Sequence, residues 1–358
     1  MSISIFESSK QPQGKNCEEL LAQGIVSYNN GSYDRAVEYF AQALEIQNAS
    51  YEATYSDADR SALCSTLMLR ARSLFMMDAL QKAHHDFMAV YDLLGDIAVH
   101  QSDINDCKLL RQACEFGAAT AEQTGDVKKQ RELINKHLDI SRRIFEATEM
   151  AEDYAELGCS YDYMITISES SDERICNAEK MKEVYQNLHK QIPGNAHFSE
   201  RLDYSYEALE DQIKAKIAET LKREDYAATA MGYQRLATVK MEKTLGKKEV
   251  SYGDMDNNAE CFHEAAKYFQ KTGNNALAEQ CLENAIQLRS AIVKATGADV
   301  ARARLSYSYV MAIVTDPTIV KRAEYARLAY NMLVELEKKR TGDTNLEKLK
   351  EIASKFRD

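Results

Sequence analysis

Histidines, clustered carboxylates and cysteines are the side chains in this sequence whose types could do chemistry, and their spacing decides which chemistry is open to them. His84 and His85 are adjacent imidazoles. On a helix, neighbouring residues point about 100° apart, so this pair cannot close on one metal ion as an i, i+4 pair does. Asp254-Met255-Asp256-Asn257-Asn258-Ala259-Glu260 begins like a calcium loop, with oxygen ligands at alternate positions. Such a loop needs Gly at its sixth residue and Glu at its twelfth. Here those residues are Ala259 and Ala265. The segment therefore reads as a polar loop feeding a helix, with Asp or Asn as the N-cap. His263 and Glu264 are adjacent and face different ways. No Gly-rich phosphate loop, GxSxG, HExxH or catalytic Cys/His arrangement is present. The expectation is a protein that is not an enzyme and needs neither metal nor cofactor.

Eight cysteines, at 17, 64, 107, 114, 159, 176, 261 and 281, fall inside helical patterns without a CxxC pair. They read as reduced, mostly buried small side chains, which points to the cytoplasm. The net charge of −11 argues against general nucleic-acid binding, because phosphate recognition needs clustered Lys and Arg. No stretch approaches the roughly 18 uninterrupted apolar residues of a membrane span, so no membrane insertion is expected. Residues 1–16 are polar, contain Pro12 and Gly14, and read as a flexible leader rather than a secretory signal.

The elements that must position these residues show themselves through internal periodicity. With only 3 Pro and 14 Gly in 358 residues, and no polar linker near the middle, one continuous helical array is expected. Gly24 is followed twelve residues later by Ala36, then by Phe40 and Ala43. Ala71, Ala83, Phe87 and Val90 repeat these offsets, as do Ala266, Ala278, Leu282 and Ala285. Ala118, Gln130, Ile134 and His137 keep the spacing with weaker residue types. Offsets of three and four share a helical face, and an interval of twelve spans a helix end, a tight turn and the next helix start. Small residues then let antiparallel helices approach. Asn30-Gly31-Ser32, Thr124-Gly125-Asp126 and Thr272-Gly273-Asn274 supply the turns.

With its G…YNNGSYDRA…YF..AL arrangement, the stretch from Glu18 to Gln47 resembles the tetratricopeptide repeat family, and the stretch from Ala259 to Leu288 is similar. Both lack the family's early Trp, with Leu20 and Phe262 in its place. The period is longer than the family's 34: Gly24, Ala71 and Ala118 succeed one another at 47 residues. The resemblance implies an all-α, right-handed superhelical solenoid of antiparallel helix hairpins over 17–342. Seven hairpins are expected, near 17–48, 60–94, 105–147, 150–191, 198–245, 257–294 and 299–340, the last turning at Asp316-Pro317. Residues 343–358 make a capping helix, with Thr344 and Glu347 as a capping box and Leu346, Leu349, Ile352, Ala353 and Phe356 as its apolar stripe. The same stripe would suit a partner-binding helix.

In the resembling family the first helices of successive hairpins line a concave groove. Carried over by pattern, the groove-facing residues are Leu21, Ile25, Tyr28 and Asn29 in the first hairpin and Met68, Arg72, Phe75 and Met76 in the second. Glu115, Ala119 and Glu122 follow in the third, and His263, Lys267 and Lys271 in the sixth. Leu21 and Ile25 stand where the family places the Lys and Asn that clamp a C-terminal carboxylate, so that clamp is not expected. Met68, Phe75 and Met76 suit either an apolar, adaptable pocket or contacts with a neighbouring hairpin. From Glu146 to Glu173 there are nine acids and no Lys or Arg. Glu149, Glu152, Asp153, Glu156 and Asp162 form a candidate acidic patch that could steer a basic partner or simply be a solvated helix face. The function expected is a protein–protein interaction adaptor that holds a peptide or helix of a partner in its groove. The alternative is a peptide-sensing regulator that changes conformation on binding a short ligand. Self-association is left open.

Overall fold

The computed structural model describes residues 16–95, 103–246, 249–315, 322–339 and 342–357. Apart from Asn16, the expected leader lies outside the described residues, and so does the expected turn at Asp316-Pro317. The described residues form fifteen helices and no strand. They are α1 (Cys17–Asn29), α2 (Tyr33–Thr54), α3 (Asp57–Met76), α4 (Leu80–Leu94), α5 (Ile104–Thr124), α6 (Val127–Thr148), α7 (Ala151–Ile167), α8 (Ser171–Gln191), α9 (Ala196–Lys222), α10 (Tyr226–Leu245), α11 (Tyr252–Lys271), α12 (Asn275–Thr296), α13 (Asp299–Thr315), α14 (Arg322–Lys339) and α15 (Thr344–Ser354). Among them, no helix is long and apolar enough to cross a membrane.

Local chemistry explains where these helices start and stop. Short polar side chains at Asn16, Ser56, Asp126, Asp225 and Asn274 each accept a hydrogen bond from the backbone N–H three residues on, satisfying donors that a helix start leaves open. Gly125 ends α5 at φ 79°, a left-handed conformation that costs Gly nothing. The turn after α9 reaches a similar conformation with Glu224 at φ 56°. Two N-termini differ from expectation. Ser251 caps α11, so the helix begins at Tyr252 and the acidic run from Asp254 to Glu260 is helical throughout rather than a loop. Asp343 caps α15 by accepting from Asn345 and Leu346 N–H, which puts Thr344 inside the helix and replaces the expected Thr344/Glu347 box.

The chain divides into two units, 1–167 and 168–358. In the first, each helix from α1 to α7 packs on the next, and α1 also reaches α3 and α3 reaches α5. The first helices of these hairpins therefore form a contiguous layer. Within a hairpin the two helices approach closely because of small residues at the crossing: a Cβ on Gly24 of α1 would sit 2.4 Å from the Phe40 ring of α2. Phe40, Phe87, Ala36 and Ala83 are fully buried there. In the second unit α8 to α15 pack in sequence, α11 also reaches α13, and α15 contacts both α13 and α14. Leu346 and Ala353 of α15 join the buried core of that unit, with Leu349, Ile352 and Phe356 packed against it. The division falls inside the expected fourth hairpin, 150–191. α7 packs on α6, while α8 starts at its own capping box, in which Ser170 and Glu173 serve each other's backbone, and packs on α9.

Candidate functional site

In the first unit a cavity of about 240 Å³ opens among α3, α5, α6 and α7. Helical spacing brings its lining together. Glu115, Ala119 and Glu122 are i, i+4, i+7 on α5, Gln130, Ile134 and His137 repeat that pattern on α6, and Tyr163 and Thr166 lie one turn apart on α7. Phe75 of α3 meets Phe116 edge-on at 6.0 Å, and Phe116 stacks on the buried Phe87 at 5.4 Å. Ala118 and Ala119 leave the space that larger side chains would fill. Arg72 lies over the Phe116 ring at 5.2 Å and donates to Gln112 at 2.9 Å.

The polar side of the cavity is held in a definite state. Tyr163 donates its hydroxyl to Glu115 Oε1 at 2.8 Å, and burial followed by the charge of Glu115 pushes its pKa upward, so it keeps its proton. His137 is 1% exposed. Burial, with Arg111 nearby, holds its pKa down at about 3, so the ring is neutral. Its Nδ1 is 2.9 Å from Ser160 Oγ, and Ser160 spends its own hydrogen on the Glu156 carbonyl at 2.9 Å. Where Ser160 gives its hydrogen to that carbonyl, it accepts from Nδ1–H and Nε2 is the ring's bare acceptor; the other tautomer makes Nε2 the donor. That atom is buried and has no hydrogen-bond partner among the described residues.

Phe75, Glu115, Ala119 and Glu122, four of the groove residues expected from the pattern, lie together in this cavity. Arg72 stands beside it through Phe116. Met76 is 54% exposed on the same helix. Met68 corrects the expectation: it is 2% exposed and part of the hydrophobic core, because it lies on the face of α3 that packs inward. In α1, Leu21 and Tyr28 are half-buried and Ile25 and Asn29 exposed, with Tyr28 edge-on to Tyr33 at 5.4 Å. The residues expected from the sixth hairpin belong to the second unit. His263 is 3% exposed and locked in a buried network rather than facing a groove. Lys267 pairs with Glu264 at 3.3 Å, and exposed Lys271 lies 4.6 Å from the Tyr226 ring centre.

The acidic patch is also revised. Asp153 is 2% exposed and takes Lys108 at 3.0 Å, Arg111 at 3.7 Å and the Thr148 hydroxyl at 2.9 Å. It is a structural ion-pair residue, buried because its face of α7 meets α5. Glu149 and Glu152 are exposed, while Glu156, 3.7 Å from Arg111, and Asp162 are partly covered. His84 and His85 diverge as the spacing predicts: the first bonds Thr120 Oγ1 at 2.8 Å and the second is exposed beside Asp86. In the second unit, Asp256 Oδ1 and Glu260 Oε2 accept from Arg289 at 3.0 and 2.8 Å. That gives these two acids an arginine partner. No group of three metal-ligating side chains is assembled among the described residues.

Phe116, Gln130, Ile134, His137, Tyr163 and Thr166 were not expected at a site. A signal for part of them was available. Ala118, Gln130, Ile134 and His137 keep the spacing of the repeat, with Gln130 and His137 in place of its usual small and packing types, and all four line the cavity.

Antiparallel hairpins, small residues at their crossings and direct contact between successive first helices now stand together. The fold is of the tetratricopeptide type. No family model matches the sequence, and no curated protein is similar to it in sequence. Among solved structures, the chain is similar to a tetratricopeptide repeat protein from Parabacteroides merdae, at 14% identity over 94% of this chain and 98% of that one, with a TM-score of 0.34. It is similar to the apo form of RapI, at 16% identity over 80% and 88%, with a TM-score of 0.37. A third is the TPR2AB domain of yeast Sti1 in its pHSP90 complex, at 13% identity over 94% and 98%, with a TM-score of 0.35.

Proposed function

We propose that this protein is a non-catalytic interaction module, an adaptor that holds a peptide or helix of a partner protein along the first-helix layer of its amino-terminal unit. The cavity among α3, α5, α6 and α7 carries this reading. It is a concave site with aromatic walls and a few fixed polar groups, the usual form of a ligand anchor. Exposed Ile25 and Met76 on α1 and α3 extend the apolar surface of that layer. Eight free cysteines, half of them buried, suit a reducing cytoplasmic setting.

The test is calorimetry of the full chain against a partner recovered by affinity capture, together with the variant Ala119→Trp, which fills the cavity. Binding is expected to weaken about tenfold or more, in line with loss of a central anchor. Partner binding untouched by Ala119→Trp, and by Arg72→Ala with Met76→Ala, would show that this surface is not the site. The second reading is a regulator that changes conformation on binding a short peptide. A peptide-dependent change in scattering radius would select it over the adaptor.

A further inference from the structure

The polar lining of the cavity is dominated by hydrogen-bond acceptors. Glu115 and Glu122 both line it, and neither carboxylate is in an ion pair among the described residues; Glu115 accepts only the Tyr163 hydroxyl. His137 adds a third acceptor in the tautomer that donates from Nδ1 to Ser160. Its Nδ1–H is committed to Ser160, which does not line the cavity, and the opposite ring edge carries the unpartnered Nε2. A buried acceptor left without a donor forfeits the hydrogen bonds it made with water when unfolded, so a donor in the cavity would satisfy it. The remaining walls are aromatic and aliphatic, from Phe75, Phe116, Ala119 and Ile134. A volume of about 240 Å³ is side-chain sized, since a single water takes roughly 30 Å³.

We propose, on the reading that this surface binds a partner segment, that the cavity takes a lysine or arginine side chain of that partner. The aliphatic stem lies along Phe116, Ala119 and Ile134, and the cationic head donates to Glu115, Glu122 and His137 Nε2. An uncharged apolar side chain would fill the same walls but give the carboxylates of Glu115 and Glu122 no cationic partner. A carboxylate would be repelled by both glutamates. Charge complementarity thus selects a basic occupant.

The experiment uses the full chain and fluorescent short-peptide pools with randomised flanks and one central residue fixed as Lys, Arg, norleucine or Glu. Fluorescence polarisation is expected to show the Lys and Arg pools binding about tenfold tighter than norleucine, as one to two charge-assisted hydrogen bonds would give. The Glu pool should be weakest. In the double variant Glu115→Gln, Glu122→Gln, the Lys and Arg pools should fall to the norleucine level while norleucine itself is unchanged. The amide carbonyl that Glu115→Gln introduces can still accept the Tyr163 hydroxyl, and thermal unfolding checks that the variant is folded. Equal binding of Lys and norleucine pools by the wild type overturns the basic occupant and leaves the partner-binding reading standing. Binding of no pool, or binding that survives Ala119→Trp, overturns both. A dimer in sedimentation that Ala119→Trp abolishes would assign the cavity to a second copy instead.

Discussion

Among the described residues, each unit of the chain buries one neutral histidine at a junction of three successive helices, and the two are held in opposite ways. His137 of α6 sits between α5 and α7, with Arg111, Ser160 and Tyr163 around it and Arg111 in turn beside Asp153 and Glu156. His263 of α11 sits near α12 and α13, with Glu260, Arg289 and Tyr307 around it, and Arg289 in turn binds Ser308. Burial and a nearby arginine depress both to about 3. Yet Arg289 can only donate, and its Nη1 is 3.3 Å from His263 Nδ1. That nitrogen must accept, and the proton sits on Nε2. His137, where it donates through Nδ1 to a serine, takes the reverse tautomer. The difference teaches that burial, aided by a nearby arginine, sets the charge of such a group, while one neighbour's donor or acceptor character decides what its free edge offers. In the first unit that edge is an acceptor on a residue that lines a cavity. In the second the surrounding groups form a dense ion-pair network.

The strongest way to break this comparison is to remove the arginines. Arg289 is 3% exposed and makes close contacts of 2.8 and 3.0 Å with two acids, whereas Arg111 stands 3.7 Å from each of its acids. Breaking a buried pair from one side costs roughly 3–5 kcal/mol. Arg289→Met is expected to approach that loss and Arg111→Met to cost about half as much, read by urea unfolding. Equal costs would show that the two networks differ only in appearance.

Acid comes next. An unfolded histidine titrates near pH 6.5, and both folded rings are held to about 3. Below pH 6.5 the unfolded chain therefore takes up protons that the folded chain refuses. The stability concerned is complete above that pH and is lost as pH falls toward 3, by up to about 1.4 kcal/mol per pH unit for each ring. His137→Asn and His263→Asn should each flatten the profile between pH 6 and 5 by about 1 kcal/mol. An unchanged slope in either variant would mean that ring is protonated in the fold.

The tautomers can be read directly from imidazole ¹⁵N shifts. His137 should show protonated Nδ1 and bare Nε2, and His263 the reverse. Ser160→Ala should release the first ring's preference at a cost of about 1 kcal/mol; a pattern that does not move would assign the preference to another neighbour. Smallest is the contrast between turns. Gly125→Ala should cost about 1 kcal/mol, and Glu224→Gly should gain about 0.5–1 kcal/mol by relieving a left-handed side chain. Thermal unfolding measures both, and a loss in Glu224→Gly would show that the Glu224 side chain compensates its backbone.

The helical hairpins were legible because their signals are local. Gly24 with Ala36 and Phe40, and Ala266 with Ala278 and Leu282, state the helix crossings through residue size and spacing. Asn30-Gly31-Ser32 and its counterparts state the turns. The site was partly legible: Phe75, Glu115, Ala119 and Glu122 follow from helical pattern, and the degenerate positions Gln130 and His137 mark where the repeat departs from itself. Met68, Asp153 and His263 were misread because a helix pattern gives a residue's face but not what packs on that face. A register one position off turns a groove residue into a core residue.

The opening expectation of helix pairs without catalytic motifs thus follows from local order along the chain: caps, turns and the three- and four-residue offsets act within one or two helices. The break at Ile167 and Ser168, the cavity at the third hairpin and the tautomers of two buried histidines depend on which distant helices meet. Ser160 lies 23 residues from His137 and Arg289 lies 26 from His263. Only packing brought them within hydrogen-bond reach, and that contact decides which nitrogen holds the proton.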